Sequence, residues 1–265
     1  MQLTIIPINM RKLLRNIFLE FLGSFKKPSK GIHILNLHYV TKNKISDSDF
    51  QVFENFIIKL QKLGTIITLP EAINTLSNNN VDFYDTKFVL TFDDGFEECY
   101  KIIVPILNKY NLKATFFINA NYIQSCTTYQ NNFNKRIKIV TKKPMSWEQL
   151  LEIHNNGHTI GSHTLDHLNM NNLNSEQLVY QIHKNKEILE YRLKFKCEHF
   201  AWPYGQMNDF PEKALLETEK HHKYIYSGTN YKKYYSYNKR IINRRHIEPF
   251  WPISHLKYFL SYNKI

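Results

Sequence analysis

The chain has 265 residues, of which 43% are hydrophobic, 14% aromatic and 22% charged. A chain of that size and make-up can bury a full hydrophobic core, which excludes a disordered protein, a collagen-like repeat and a disulfide-stapled miniprotein. Its 35 Lys and Arg against 23 Asp and Glu give a net charge of +12, a balance that favours anionic partners without saying which. The three cysteines, Cys99, Cys126 and Cys197, are far apart and lack a Cys-x-x-Cys spacing. Neither a thiolate zinc site nor a disulfide framework is expected, and reduced thiols in a cytoplasm fit best.

Residues 1–30 read as a separate N-terminal segment. Arg11, Lys12 and Arg15 precede the apolar cluster Ile17, Phe18, Leu19, Phe21, Leu22 and Phe25. Glu20 interrupts that cluster, and no stretch reaches about 18 consecutive apolar residues, so neither a signal peptide nor a membrane-spanning helix is expected. The commoner fate of such an amphipathic helix is to pack on the core by its apolar face. The alternative is a helix lying on an anionic membrane surface. The expected location is the cytoplasm, with peripheral contact at the inner membrane face under the second reading, and export as the alternative.

From residue 31 onward, short β-rich runs alternate with helical patterns. The runs are 32–38, 65–69, 87–92, 113–119, 158–162, 199–203, 223–228 and 240–247. Ser48 with Gln51, Thr68 with Glu71 and Ser146 with Gln149 have the spacing of capping boxes. The longest predicted helix covers 175–192, where Leu178, Ile182 and Leu189 recur at helical spacing. The Asn- and Lys-rich stretch 122–143 reads as a long loop. This order predicts an α/β fold: one distorted (β/α) barrel over 31–265 with parallel strands and the active site at their C-terminal ends. A doubly wound open sheet is the alternative.

The unusual polar residues fall where those strands end: His38, then Asp93 and Asp94, then His163 and His167, then Tyr204 and Gly205, then Arg244, Arg245 and His246. In Thr91-Phe92-Asp93-Asp94-Gly95, adjacent side chains diverge, so one carboxylate could bind a metal while the other faces substrate or water. Alone, this is equally an Asp-Gly turn with a helix cap from Asp94. His163 and His167, four apart, can reach one ion, or can be two surface histidines in a loop. With Asp94 they form a three-ligand set with an open position, the pattern of catalytic rather than structural zinc. His154, His183, His221, His222 and His255 read as solvent-facing, His33 and His199 as core residues, and His158 as too far from His163 to share an ion.

Three motifs in order, Thr91 to Gly95, His163-Thr164-Leu165-Asp166-His167 and Trp202-Pro203-Tyr204-Gly205, resemble the polysaccharide deacetylases of the NodB-homology type, carbohydrate esterase family four. The resemblance covers roughly 31–265 and takes in 113–117 and the His38 strand. It implies a metal-dependent hydrolase that removes N-acetyl groups from amino sugars of a glycan or a lipid-linked precursor. It also implies Asp93 as catalytic base, Asp94, His163 and His167 as metal ligands, and the Tyr204 backbone N–H as oxyanion donor. Zinc is the first expectation, and cobalt or nickel is also compatible with such ligands. The third motif commonly begins with an Arg that orients the catalytic Asp. Here Ala201 stands there, and Arg244 or Arg245 is the expected substitute. The motif that backs the general acid is absent; His246 is the first candidate for the acid and His38 the second.

Two other enzyme or binding functions compete: a deformylase or amidase acting on a lipid-phosphate-linked sugar, and a catalytically inactive glycan-binding barrel. Nucleic acid is not expected as a partner, because no recognition motif accompanies the basic stretches 135–143 and 220–245.

Overall fold

The computed structural model describes residues 8–41, 45–78, 83–139 and 141–263. Helix α1 (Ile8–Ser24) leads into β1 (Gly31–Leu37), α2 (Ser48–Gln61), β2 (Thr65–Ile66), α3 (Leu69–Ser77) and β3 (Thr86–Phe92). Then follow α4 (Val104–Lys109), β4 (Thr115–Ile118), α5 (Thr127–Arg136), α6 (Trp147–Asn155), β5 (Thr159–Ser162) and α7 (Ser175–Leu193). The chain continues through β6 (His199–Ala201), α8 (Glu212–His221), β7 (Tyr224–Tyr226), β8 (Tyr235–Ser236), β9 (Ile241–Ile242), β10 (Arg245–His246) and α9 (Ile253–Leu260).

The strands form one sheet in the order β10-β1-β3-β4-β5-β6-β7-β9-β8, with β2 also on β3. Among the described residues, β8 and β9 are the one antiparallel pair. The last two parallel strands belong to one run of chain. Ile242 pairs with Tyr226 of β7, whereas Arg245 and His246 pair with Leu35 and Asn36 of β1. This run therefore bridges the last and first parallel strands and curls the sheet into the distorted barrel. The single strand expected over 240–247 is broken at Asn243 and Arg244, where the chain passes from one neighbour to the other.

Alternation along the strands explains where polar residues arrive. Leu35 and Leu37 of β1 and Phe88, Leu90 and Phe92 of β3 pack outward against Phe53, Phe56, Ile57 and Leu60 of α2. The opposite register carries Ile32, Ile34 and Val89, which meet Phe117, Ala201, Tyr226 and Ile242 inside the barrel. Continued by twos, that inner register leads to Asn36 and His38, to Thr91 and Asp93, and to Asn119. The apolar barrel floor thus gives way to a polar rim at the C-terminal strand ends.

Local readings fared unevenly. The boxes Thr68–Glu71 and Ser146–Gln149 both form, and so does Asn174–Gln177 ahead of α7. The Ser48–Gln51 box does not form: Ser48 is the first helical residue of α2, its Oγ lies 2.9 Å from Ser46 Oγ, and the N-cap Asp47 makes no side-chain cap. The run expected over 65–69 shrinks to two residues, since Thr68 is spent capping α3. The expected loop 122–143 contains α5, whose few apolar residues hid its period. Phe133, stacked on Tyr122 with centroids 3.9 Å apart, anchors it. His222 and His255 are buried rather than solvent-facing. Helix α1 packs on α9 without burying its apolar face.

Asn185 of α7 ties the tops of β4 and β5 together. Its amide donates to Ile118 O (2.9 Å) and Ser162 Oγ (2.8 Å), and its oxygen accepts from Ala120 N (2.8 Å). Asn185→Leu would strand these groups in a fully buried place. The expected destabilisation is about 1–3 kcal/mol for each group left unpaired, read from urea denaturation. A change near zero would show that the strand tops do not depend on this side chain.

Candidate active site

The polar rim converges on a cleft of about 280 Å³ whose lining includes His38, Asp93, Asp94, His163, His167 and Glu248. These side chains arrive on four strand ends: His38 after β1, Asp93 and Asp94 after β3, His163 and His167 after β5, and Glu248 after β10. Asp93 continues the inner register of β3, and its amide donates to Leu37 O (2.9 Å). Asp94 follows in the left-handed region at φ 76°, which turns its side chain away from that of Asp93. His163 follows β5. His167 comes not from a helical turn but from a bent loop with Thr164 and His167 at φ 64° and 54°. Non-glycine residues adopt such angles only where surroundings hold them. Here Asn119 donates to the carbonyls of His163 and Thr164. Gln181 holds the next residue pair, its carbonyl accepting from Leu165 N (3.1 Å) and its side chain from Asp166 N (2.9 Å).

Asp94 Oδ1 lies 3.5 Å from His163 Nε2 and 3.3 Å from His167 Nε2. These are not ion pairs. Burial, first of all causes, lowers the His163 pKa to about 4 and that of His167 well below its usual value, so both rings are neutral at pH 7. His163 Nδ1–H donates to Ala201 O (2.7 Å). That bond fixes the tautomer and leaves the Nε2 lone pair facing Asp94. Asp94 Oδ1 is itself buried with no hydrogen-bond donor. Burial, with the carboxylates of Asp93 and Glu248, pushes its pKa up to about 7 despite His38. Two lone pairs and an undonated carboxylate oxygen in one buried place fit a divalent cation.

Asp93 has the opposite environment. Burial would raise its pKa, yet the Arg244 guanidinium, with His163 and His38, brings it down to about 2. Arg244 grips it bidentately, Nη1 to Oδ1 and Nη2 to Oδ2, both 2.8 Å. The guanidinium also donates to Thr91 Oγ1 (3.0 Å) and Ser227 O (2.9 Å) and lies 4.8 Å over the Phe117 ring. Of the two arginines named as substitutes for the one missing at Ala201, Arg244 is the one at Asp93. Arg245 stacks instead on Tyr231 and Phe259.

The two candidate acids share a partner that the sequence reading missed. Glu248 Oε1 accepts from His38 Nδ1 and from His246 Nε2, each at 2.9 Å. Glu248 is buried, and its Oε2 accepts from the His38 amide at 3.3 Å. This trio could also be read as metal ligands, but its carboxylate is already saturated by donors, unlike that of Asp94. Burial works against charge on His38; the Glu248 bond and charge, with Asp94 and Asp93, nevertheless raise its pKa to about 9. A signal for Glu248 was present: 244, 246 and 248 alternate, so all three share the register that faces the site.

Tyr204, at φ 64°, lines the cleft, and its N–H donates to no acceptor among the described residues. Gly205 beside it must be glycine: at φ 69°, a Cβ would sit 2.7 Å from Gly228 Cα. Ile137, Lys138 and Ile139, just past α5, complete the rim.

The model of the family described as polysaccharide deacetylase matches residues 80–222. The chain is 25% identical over 193 residues to the putative polysaccharide deacetylase YxkH of Bacillus subtilis, covering 73% of this chain and 63% of the relative. It is 33% identical over 122 residues to a peptidoglycan-N-acetylglucosamine deacetylase of Bacillus cereus, covering 46% of this chain and 37% of the relative. The chain thus spans less than two thirds of either relative's length. Among solved structures, the Streptococcus pyogenes deacetylase PplD in complex with acetate superposes with a TM-score of 0.64 at 19% identity, over 88% of this chain and 99% of that one; that likeness speaks to the fold. The matched model covers more than half of the 265 residues and includes the Asp93–Asp94 and His163–His167 motifs, and the chain belongs to the polysaccharide deacetylase family.

Proposed function

We propose that the protein hydrolyses the N-acyl group, N-acetyl in the first instance, from amino sugars of a glycan. The observation that carries this reading is the pairing of two unlike carboxylates side by side: Asp94 facing two neutral imidazoles, and Asp93 locked by Arg244. Asp94, His163 and His167 would hold one divalent ion, zinc first among the candidates. When bound, such an ion polarises an amide carbonyl and makes water more acidic.

The chain's own groups supply the rest. Asp93, ionised across the neutral range, takes a proton from water as its oxygen adds to the carbonyl carbon. The Tyr204 N–H donates to the oxyanion that forms. The C–N bond then breaks as protonated His38 gives its proton to the amine, releasing carboxylic acid and free amino sugar. His38 is preferred over His246 for this role. Its Nδ1 is held by Glu248, which leaves Nε2 as the free proton donor, and both site carboxylates act on it. The name of the Bacillus cereus relative supports N-acetylglucosamine as the sugar.

A panel of N-acetylated and N-formylated sugars, soluble and lipid-linked, tests the reaction. Free amine with matching acetate or formate is expected, and its loss on chelation and return with zinc. No product from any member would leave a binding barrel in place of an enzyme.

Asp93→Asn should keep stoichiometric metal and lose about 10²–10⁴-fold in kcat, the usual worth of a general base. If metal and activity vanish together, Asp93 is a ligand and the base lies elsewhere.

A protonated acid is lost as pH rises, so activity should decline through the His38 pKa. Glu248→Gln removes the anion that raises that pKa, and the alkaline limb should therefore move to lower pH. A limb that responds to His246→Gln but not to His38→Gln would return the acid role to His246.

A further inference from the structure

We infer that α1 docks this protein on an anionic lipid bilayer, lying in the plane of the surface. The helix has two faces with reversed uses. Leu19 is buried and Gly23 sits against α9, where a Cβ would lie 1.9 Å from Ser254 O. The Lys257 ammonium donates to Ser24 O (2.9 Å), and Phe18 meets Tyr258 edge-on. At 3.6 residues per turn, the face opposite Leu19 and Gly23 carries Met10, Leu14, Ile17 and Phe21, flanked by Leu13 and Phe18. These six are 50–65% exposed, and Phe25 just beyond the helix is 77% exposed. The stripe has the period of a core-facing helix but faces solvent. A patch of that kind marks an interaction surface.

The charges around it select the occupant. Arg11, Arg15, Lys26, Lys27 and Lys30 are exposed along the same segment, against the single exposed acid Glu20. Two copies packed through this face would bring like charges together. A bilayer containing acidic lipid meets the stripe with hydrocarbon and the cations with opposite charge. At 17 residues the helix is about 25 Å long, enough to lie in the interface, and no helix among the described residues is long and apolar enough to cross. This inference does not rest on the deacetylase reading, because binding to lipid involves no N-acyl sugar.

Co-sedimentation of the full chain with vesicles tests it, using phosphatidylcholine alone and phosphatidylcholine with about a third phosphatidylglycerol, a charge density that gives each surface Lys or Arg appreciable attraction. Binding to the anionic vesicles is expected, weakened at least tenfold in the neutral ones. Ile17→Asp with Phe21→Asp should weaken it at least tenfold. Arg11→Glu with Lys27→Glu, both exposed, should weaken it and flatten its salt dependence. Hydrolysis of a soluble substrate should be unchanged in both. Failure of the unaltered chain to bind anionic vesicles overturns the inference. So does equal binding by both double variants. A concentration-dependent dimer without vesicle binding would assign the face to a second copy instead.

Discussion

A buried guanidinium, that of Arg244, touches three separate parts of the barrel. It reaches Asp93 and Thr91 at the end of β3, the Phe117 ring on β4 and the carbonyl of Ser227 after β7. It also stands at the break between β9 and β10, where the chain leaves one neighbouring strand for another. Desolvating both ions offsets most of what their attraction contributes, so the pair is a poor source of net stability. Its effect is on arrangement. Breaking it leaves a buried charge uncompensated, at a cost of about 3–5 kcal/mol. That penalty pins the seam of the barrel and the orientation of the Asp93 carboxylate in the same stroke.

Around that anchor the site is built from backbone that would not hold its shape alone. Asp94, Thr164, His167 and Tyr204 all lie in the left-handed region, where most side chains are disfavoured. The supports are polar and come from outside the cleft. Asn119 and Gln181 bind the His163–His167 loop, while Asn185 joins the strand tops beneath it. Asp166, inside the loop, is held from the far side by the Tyr129 hydroxyl (2.5 Å) and the Gln181 amide (2.6 Å). Helix α5, which supplies Tyr129, is therefore a brace as well as part of the rim. Apart from Phe133, buried with Tyr122 and Phe96, it meets that loop with polar side chains, which accounts for its few apolar residues.

The motif carriers were legible in sequence because strand alternation and short spacings are local properties. Asp93, Asp94, His163, His167 and Tyr204 all fall within motifs of a few residues, and each sits on the cleft. Arg244 was within reach as one of two arginines, but choosing between it and Arg245 required knowing which strand register faces inward. Glu248 was missed because it serves His38, 210 residues earlier in the chain; its alternation with Arg244 and His246 tells which face it shares but not its partner. Asn119 and Asn185 were missed for the same reason: their partners are far along the chain and mostly backbone groups. The amphipathic character of α1 was legible, whereas the choice between its two readings was not, because an apolar face does not say whether it meets the protein or its surroundings.

The same two residue types, carboxylate and imidazole, do opposite things on either side of the cleft. Around Asp94 no donor reaches Oδ1, and burial keeps His163 and His167 neutral with their lone pairs. Around Glu248 the carboxylate is lowered in pKa, against its burial, by bonds from His246 and His38, and His38 in turn gains basicity. The difference lies in the N–H groups that reach each carboxylate: two ring N–H groups and the His38 amide at Glu248, none at Asp94 Oδ1. Glu248 sits where the His38 amide points at it, whereas Asp94, turned by its positive φ, faces only ring nitrogens. Residue identity is thus not what separates lone-pair donors from proton donors in this site. Strand register and one left-handed residue make that division, while Arg244 holds Asp93 in place beside it.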